Sequence, residues 1–243
     1  MANPVKLKCI VSSIRDHDDV VSTISLKPSR RLPNFKPGQF LHLALDPFDP
    51  TGGFWPESRV FSIASSPFDS EMIIAYSVKG AFTKRMREEL IIGKEVWVRL
   101  PYGHFSLAAS LDEEVVLVAG GTGITPFISF ISNELYAFSG VSLKLVYGVR
   151  KPELFLFTEV LKKAISQLNG FKLFAFSEDG CYKDGYFSIS GGSLSLDKIW
   201  QVADTPETAT FYLAGPVAMI TAFKTGLTSR GVRPDKIHID EWE

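Results

Sequence analysis

Cysteine is scarce in this sequence of 243 residues, which contains only Cys9 and Cys181. Two thiols cannot build a disulfide framework. They also fall short of the four thiolates that a protein-bound iron–sulfur cluster normally requires. The sequence therefore predicts a protein without an iron–sulfur centre of its own.

Long apolar runs and an excess of charge of one sign are missing too. No stretch reaches the roughly 18 consecutive apolar residues of a membrane-spanning helix. Met1 is not followed by a basic segment and an apolar run, so no secretory signal is visible. The formal net charge of −1 gives no reason to expect a nucleic-acid partner. These absences predict a cytoplasmic protein.

Signatures of metal binding and of serine hydrolases are equally absent. The four histidines show neither a spacing of four residues nor a neighbouring cysteine, so no metal site is predicted. The G-x-S-x-G turn that carries a hydrolase nucleophile does not occur. The chemistry of this chain must therefore come from other residues.

The first half of the sequence contains short apolar segments separated by proline and glycine turns. Six of them predict strands, at Lys6 to Ile14, Val20 to Lys27, Gln39 to Leu45, Arg59 to Ala64, Glu71 to Val78 and Lys94 to Leu100. A helical pattern interrupts them at Ala81 to Leu90. This arrangement is typical of a small antiparallel β-barrel.

The pattern changes after Glu114 to strands that alternate with helices. Val115 to Ala119 is a continuous apolar run, as expected for a central parallel strand covered on both faces. Four more strands are predicted at Leu143 to Tyr147, Lys172 to Phe176, Thr210 to Leu213 and Lys236 to Ile239. The sequence thus predicts two domains, 1–110 and 111–243, the second an α/β doubly wound parallel five-stranded sheet.

A glycine-rich turn follows the first predicted parallel strand, in the sequence Ala119-Gly-Gly-Thr-Gly-Ile-Thr-Pro126. Glycines let the backbone approach a pyrophosphate, and the free N–H groups of the next helix favour anionic oxygens. Pro126 replaces the last glycine of the G-x-G-x-x-G pattern. Taken alone, the turn is compatible with a dinucleotide site or with a tight turn that binds nothing.

A second pattern, Arg59-Val60-Phe61-Ser62, lies in the barrel half. In isolation, Phe61 would be read as a core aromatic and Arg59 as half of a surface ion pair. The run nevertheless resembles the R-x-Y-S motif of the ferredoxin–NADP reductase superfamily, with phenylalanine in place of tyrosine. The resemblance implies that Arg59 binds the flavin phosphate and that Phe61 stacks on the isoalloxazine ring. It also makes Ser62 a catalytic residue near flavin N5.

Further segments follow in the order of that family. Ala75 to Thr83 resembles the segment around the flavin phosphates, and the glycine-rich turn resembles the nicotinamide-nucleotide loop. Ala214-Gly-Pro-Val-Ala-Met219 resembles the C-G-P-x-x-M motif, with alanine in place of the cysteine near the nicotinamide. The resemblance implies a flavin-binding barrel, an NAD(P)-binding α/β domain and a cofactor site made of Arg59, Val60, Phe61, Ser62, Tyr76, Val78, Lys79, Gly80, Phe82, Thr83, Gly121, Thr122, Gly123, Thr125, Arg150, Ser177, Gly215 and Pro216.

The resemblance implies a flavin-dependent NAD(P)H oxidoreductase that binds FAD rather than FMN. Such a protein takes hydride from NADH or NADPH onto flavin N5 and passes electrons singly to a separate acceptor, such as a ferredoxin or an oxygenase component. Two alternatives stay open, a reductase for which flavin is a diffusible substrate and a nucleotide-binding subunit without catalysis. Hydride transfer needs no acid–base group, so His42 and His104 are expected to be structural or to flank the adenine.

Two finer expectations concern Trp242 and the choice of nicotinamide. Trp242 resembles the aromatic that stacks over the isoalloxazine ring in many relatives and moves to admit nicotinamide, and packing on a sheet edge is the alternative. Ser177 stands where NADP-dependent relatives bind the 2′-phosphate, but Glu178 and Asp179 follow it. Two carboxylates disfavour a phosphate dianion, so the sequence predicts a preference for NADH.

Overall fold

A computed structural model describes residues 3–107 and 114–240 of the chain. These residues fold into two compact units, which divide between Ser106 and Leu107. The domain boundary predicted between 110 and 111 lies outside the described residues, and so does Trp242. No helix in the described part of the chain is long and apolar enough to cross a bilayer.

Within residues 3–107, six antiparallel strands form one sheet. The strands are β1 (Val5–Asp16), β2 (Val21–Pro28), β3 (Phe40–Ala44), β4 (Ser58–Ser62), β5 (Met72–Ser77) and β6 (Glu95–Tyr102), in the order β4-β3-β6-β1-β2-β5. The helix α1 (Ala81–Glu89) lies between β5 and β6 in the chain. Just beyond β4, the Ala64 N–H donates to the Ile73 carbonyl of β5 over 2.7 Å, which brings the two edges together. The predicted antiparallel barrel is confirmed.

Alternation of apolar residues builds the interior of this barrel. Leu7, Cys9 and Val11 of β1 are fully buried, and the residues between them are more exposed. One face of each strand therefore points inward, as the period of two requires. The helix α1 adds Phe82 and Met86 to the same core, which fixes it against the barrel.

Within residues 114–240, a mainly parallel sheet of seven strands alternates with helices. The strands are β7 (Val115–Gly120), β8 (Leu143–Val149), β9 (Phe171–Ser177), β10 (Tyr182–Lys183), β11 (Ser188–Gly191), β12 (Thr210–Ala214) and β13 (Ile237–Ile239). The helices are α2 (Thr125–Ala137), α3 (Thr158–Gln167), α4 (Leu196–Val202) and α5 (Val217–Ser229). The doubly wound α/β class is confirmed.

The predicted number of five strands was wrong for this second sheet. β11 pairs in parallel with β9, and β10 pairs antiparallel with β11 at the sheet edge. β11 reads Ser-Ile-Ser-Gly and β10 has two residues, so neither has an apolar run that a sequence pattern could detect. Pairing with the β9 edge, rather than local propensity, makes them strands.

The strand order of this sheet is β10-β11-β9-β8-β7-β12-β13. From β7 the chain continues through β8 and β9 on one side, and it later returns to place β12 and β13 on the other. The order therefore reverses between β7 and β12. In open α/β sheets, ligands bind outside the carboxyl ends of the strands at such a reversal.

Candidate functional site

The glycine-rich turn and the Ala214-Gly-Pro turn meet at this reversal point. Ala119 at the end of β7 is paired with Ala214 at the end of β12. A Cβ on Gly123 would lie 2.4 Å from the Ala214 carbonyl oxygen, and a Cβ on Gly120 would lie 2.6 Å from Met219 Sδ. Two motifs far apart in sequence thus form one backbone surface. Glycine at positions 120 and 123 permits this close approach, because it has no Cβ.

Gly121 is the exposed point of that surface. Its φ of 55° lies in the left-handed region, and no described atom lies within 4 Å of the place where its Cβ would be. Thr125 stabilises the turn, since its hydroxyl donates a hydrogen bond to the Thr122 carbonyl over 2.7 Å. The helix α2 begins at Thr125, and no acidic residue occupies its described first turn. An open backbone before a helix N-terminus fits a dinucleotide phosphate.

Gly215 and Pro216 form the other side of the same surface. A Cβ on Gly215 would lie 2.6 Å from Met219 Cε and 3.1 Å from the Gly120 Cα. Pro216 precedes the first residue of α5, Val217, whose side chain is exposed. These residues therefore lie beside the glycine-rich turn, where the resemblance expects the nicotinamide.

In the barrel, Arg59 lies against the first turn of α1. Its guanidinium carbon is 5.2 Å from the centre of the Phe82 ring, and Phe82 is the second residue of that helix. The guanidinium also donates to Glu57 over 2.9 Å and to the Ser58 carbonyl over 2.8 Å. Strand β4 and the start of α1, predicted separately to bind flavin phosphate, are therefore neighbours.

The start of α1 is preorganised by Thr83. The Thr83 hydroxyl oxygen accepts hydrogen bonds from the N–H groups of Lys79 (2.9 Å) and Gly80 (3.1 Å). Gly80 itself borders open space among the described residues. Because the described first turn contains no acidic side chain, the positive end of the helix and Arg59 form a cationic corner. The N–H groups of the first turn of α1, together with the Arg59 guanidinium, fit the phosphates of a flavin nucleotide.

The residues of the R-x-F-S run lie on two faces of β4. Phe61 pairs with Leu41 and belongs to the buried barrel core, on the same side as Arg59. Val60 and Ser62 occupy the opposite face and pair with His42 and Phe40, respectively. Ser62 is therefore placed beside a group of aromatic rings rather than beside Arg59.

Sequence reasoning assigned no ligand role to most of this aromatic group, which consists of Phe40, His42 and Tyr102. The Phe40 and Tyr102 rings stack with centres 5.7 Å apart, and His42 meets Tyr102 edge-on at 4.8 Å. The Tyr102 hydroxyl accepts a hydrogen bond from Arg99. Burial, and next the Arg99 charge, lower the pKa of His42, which favours its neutral form. The stacked Phe40 and Tyr102 rings form an aromatic surface next to Ser62, of the kind on which an isoalloxazine ring can stack.

Three of the predicted flavin residues support the barrel from inside. Tyr76 is buried, its hydroxyl bonds with Ser22 and Arg87, and burial raises its pKa. Phe82 is also buried, and Val78 is partly buried against the same core. These three side chains hold the segment that carries Lys79, Gly80 and Thr83.

Ser177 and Arg150 lie at the carboxyl ends of β9 and β8. Ser177 is fully buried, and its hydroxyl donates to the Arg150 carbonyl over 3.2 Å. Glu178 and Asp179 follow with exposed side chains, and the Asp179 N–H donates to the same carbonyl over 2.8 Å. The Ser177 hydroxyl thus ties two strand ends together, and the two carboxylates next to it face solvent.

Comparison with known proteins adds a family to this geometry. Residues 117–225 match the oxidoreductase NAD-binding domain family. The chain is 25% identical over 242 residues to a flavohemoprotein of Rhizobium meliloti (strain 1021), covering 95% of this chain and 59% of the relative. It is 27% identical over 219 residues to the reductase component of propane 2-monooxygenase from Mycolicibacterium goodii, covering 86% and 59%. The chain therefore spans about three fifths of the length of these relatives.

Solved structures share the fold of the whole chain. The flavohem-like FAD/NAD binding domain of a nitric oxide dioxygenase from Vibrio cholerae has a TM-score of 0.80, with 19% identity and coverage of 97% and 98%. A ferredoxin NADP+ reductase from Neisseria gonorrhoeae with bound FAD and NADP has a TM-score of 0.74, with 19% identity and coverage of 99% of both chains. Family match, fold and motif order agree: residues 117–225 match an oxidoreductase NAD-binding domain, and the chain as a whole is similar to NAD(P)H-dependent flavoprotein reductases of the ferredoxin–NADP reductase type.

Proposed function

We propose that this chain binds FAD at the barrel and NADH at the glycine-rich turn, and that it passes electrons from NADH to a separate acceptor protein. The contact between Arg59 and the first turn of α1 carries the proposal, because it joins two independent flavin motifs in one cationic corner. The aromatic surface beside Ser62 supports it further, since a planar ring needs such a surface.

Each group of residues has a defined task in this proposal. When bound, a flavin would supply the step that the protein lacks, accepting a hydride as an electron pair and releasing the electrons singly. Arg59, Gly80 and Thr83 would hold the phosphates. Ser62 would orient the ring edge near N5, and the Gly121 turn with Gly215 and Pro216 would hold the nicotinamide nucleotide.

The acceptor is proposed as a one-electron carrier protein. The propane 2-monooxygenase relative is a reductase component, which by its name works with an oxygenase. A ferredoxin or an oxygenase component therefore suits this chain as a partner, and Trp242 stays a proposed residue on the path of nicotinamide to the flavin.

An absorption spectrum followed by an anaerobic titration tests the proposal. The purified protein should keep a yellow chromophore after extensive dialysis, and NADH should bleach the flavin band at stoichiometric amounts. Loss of the colour on dialysis, with turnover only when flavin is added, would favour the reductase with diffusible flavin. Retained colour without bleaching by NADH or NADPH would favour a non-catalytic nucleotide-binding subunit.

A further inference from the structure

The Arg59 guanidinium already has an anionic partner in the bend directly before its own strand. Glu57 stands two residues before Arg59, and its carboxylate oxygen accepts a hydrogen bond from Arg59 Nη2 over 2.9 Å. Both side chains are about half exposed, at 52% for Arg59 and 53% for Glu57. The pair is thus within reach of a ligand from solvent.

The position of Glu57 gives it the geometry of an internal phosphate mimic. Glu57 lies in a bend directly before β4, and its hydrogen bond to Arg59 places the two side chains on the same side of the chain. A carboxylate presents two oxygens to a guanidinium much as a phosphate does. Phe82 covers one side of the guanidinium, and Ser58 accepts a second hydrogen bond from it. A phosphate that binds Arg59 must therefore displace Glu57 or bind beside its negative charge.

We infer that Glu57 competes with the flavin phosphate for Arg59 and thereby sets the affinity and phosphate preference of the flavin site. The inference rests on the proposed function. An ion pair between half-exposed side chains contributes little to folding, so Glu57 can be displaced without loss of the barrel. FMN ends in a phosphate that carries nearly two charges, whereas each phosphate of FAD carries one. The Glu57 charge therefore disfavours FMN more than FAD.

Glu57→Gln tests this role, because the substitution removes the charge and keeps the shape. Quenching of flavin fluorescence would give the dissociation constants of FAD, FMN and riboflavin for flavin-free protein at low and at physiological salt. We expect FAD to bind roughly 3- to 10-fold tighter to the variant at low salt, and FMN to gain more. Added salt should shrink both gains. Riboflavin, which has no phosphate, should not change.

Two control variants separate competition from other effects. Glu95→Gln is the matched control, since Glu95 is also an exposed carboxylate paired with a cation, Lys8, over 3.0 Å. It should leave all three affinities unchanged. In an Arg59→Ala background, Glu57→Gln should give a much smaller gain, because the group for which the two anions compete is gone.

Several outcomes would overturn the inference while the proposed function stands. If wild-type protein binds FAD, and Glu57→Gln binds FAD no tighter than wild-type protein does, the inference is wrong. An equal gain for riboflavin, or a full gain in the Arg59→Ala background, would overturn it as well. Failure of wild-type protein to bind any flavin would overturn both the proposed function and this inference.

Discussion

Gly123 lies so close to Ala214 that a Cβ at position 123 would come within 2.4 Å of the Ala214 carbonyl oxygen. Neither residue is part of the other's local structure, because Gly123 precedes α2 and Ala214 ends β12. Their contact fixes the distance between the glycine-rich turn and the Ala214-Gly-Pro turn. The proposed nicotinamide surface therefore requires glycine, which has no Cβ, at position 123.

Gly123→Ala should disrupt that surface. The clashing atom is backbone, so one of the two turns must move, at a cost of roughly 1–3 kcal/mol in unfolding free energy. A displacement of this kind should lower kcat/KM for NADH by roughly a hundredfold. Thermal unfolding and steady-state kinetics with an artificial electron acceptor measure the two effects.

Gly185→Ala is the control for this substitution. Position 185 borders open space among the described residues and needs no left-handed φ, so alanine should leave kinetics and stability nearly unchanged. If Gly123→Ala behaved like this control, the two turns would not form the nicotinamide surface.

Arg59→Ala should yield protein that folds but holds little flavin. Charge-assisted hydrogen bonds to phosphate would be lost, and FAD affinity should fall roughly 10- to 100-fold. Arg59→Lys should recover only part of it, because an ammonium cannot reproduce the two-pronged geometry. The flavin content after gel filtration and the FAD dissociation constant are the measurements.

Arg233→Ala is the matched control for Arg59, because Arg233 is an exposed arginine paired with Asp235, two residues away, over 3.0 Å. It should retain full flavin. Stoichiometric flavin at wild-type affinity in Arg59→Ala would rule out the phosphate role.

The order of the motifs, and the change from strands joined by turns to strands that alternate with helices, were enough to predict the antiparallel barrel and the α/β domain. The contact between Arg59 and Phe82 was implied only indirectly, since both fell in flavin motifs. The aromatic group was not predictable, because a register shift between β3 and β6 brings both Phe40 and His42 to Tyr102. Alternation within one strand carries no information about such a bulge.

Lys144 provides a stability test away from the proposed sites, at the amino end of β8. Its side chain is 3% exposed, and its ammonium group contacts Glu114 at 2.5 Å, Asp204 at 2.8 Å and the Val202 carbonyl at 2.9 Å. Lys144→Met leaves the partly buried Glu114 carboxylate with two backbone N–H donors but without its cation, and should cost about 3–5 kcal/mol in unfolding free energy. Chemical denaturation measures this loss of unfolding free energy. Lys8→Met is the control, because Lys8 forms an exposed ion pair with Glu95, and it should lower the unfolding free energy by less than about 1 kcal/mol.

The same cluster predicts a pH dependence. Burial alone would raise the pKa of Glu114, but hydrogen bonds from Lys144 and from two backbone N–H groups lower it overall. A carboxyl whose folded-state pKa is depressed stabilises the fold above its ordinary value of 4.5 and loses that contribution as the pH falls further. Unfolding free energy should therefore decline below about pH 4.5, and the decline should be smaller in Lys144→Met. An equal decline in both proteins would exclude Glu114 as its source.

NADH should be the preferred nicotinamide. The serine at the position that binds a 2′-phosphate in NADP-dependent relatives, Ser177, is buried with its hydroxyl on the Arg150 carbonyl. The next two side chains, Glu178 and Asp179, are exposed carboxylates at the end of β9. A phosphate dianion there would meet two like charges, whereas a ribose hydroxyl could donate to one of them. The ratio of kcat/KM for NADH and NADPH measures the preference.

Neutralising the Glu178 and Asp179 carboxylates tests whether they cause the preference for NADH. The double variant Glu178→Gln, Asp179→Asn should raise kcat/KM for NADPH roughly tenfold, since a 2′-phosphate at the end of β9 would no longer meet two like charges. Glu207→Gln is the control, because Glu207 is an exposed carboxylate that precedes β12 and so lies toward the opposite, amino edge of the sheet. A clear preference of wild-type protein for NADPH would show that the assignment to NADH is wrong. Equal use of both nicotinamides, unchanged in the double variant, would mean that the two carboxylates point away from the ribose.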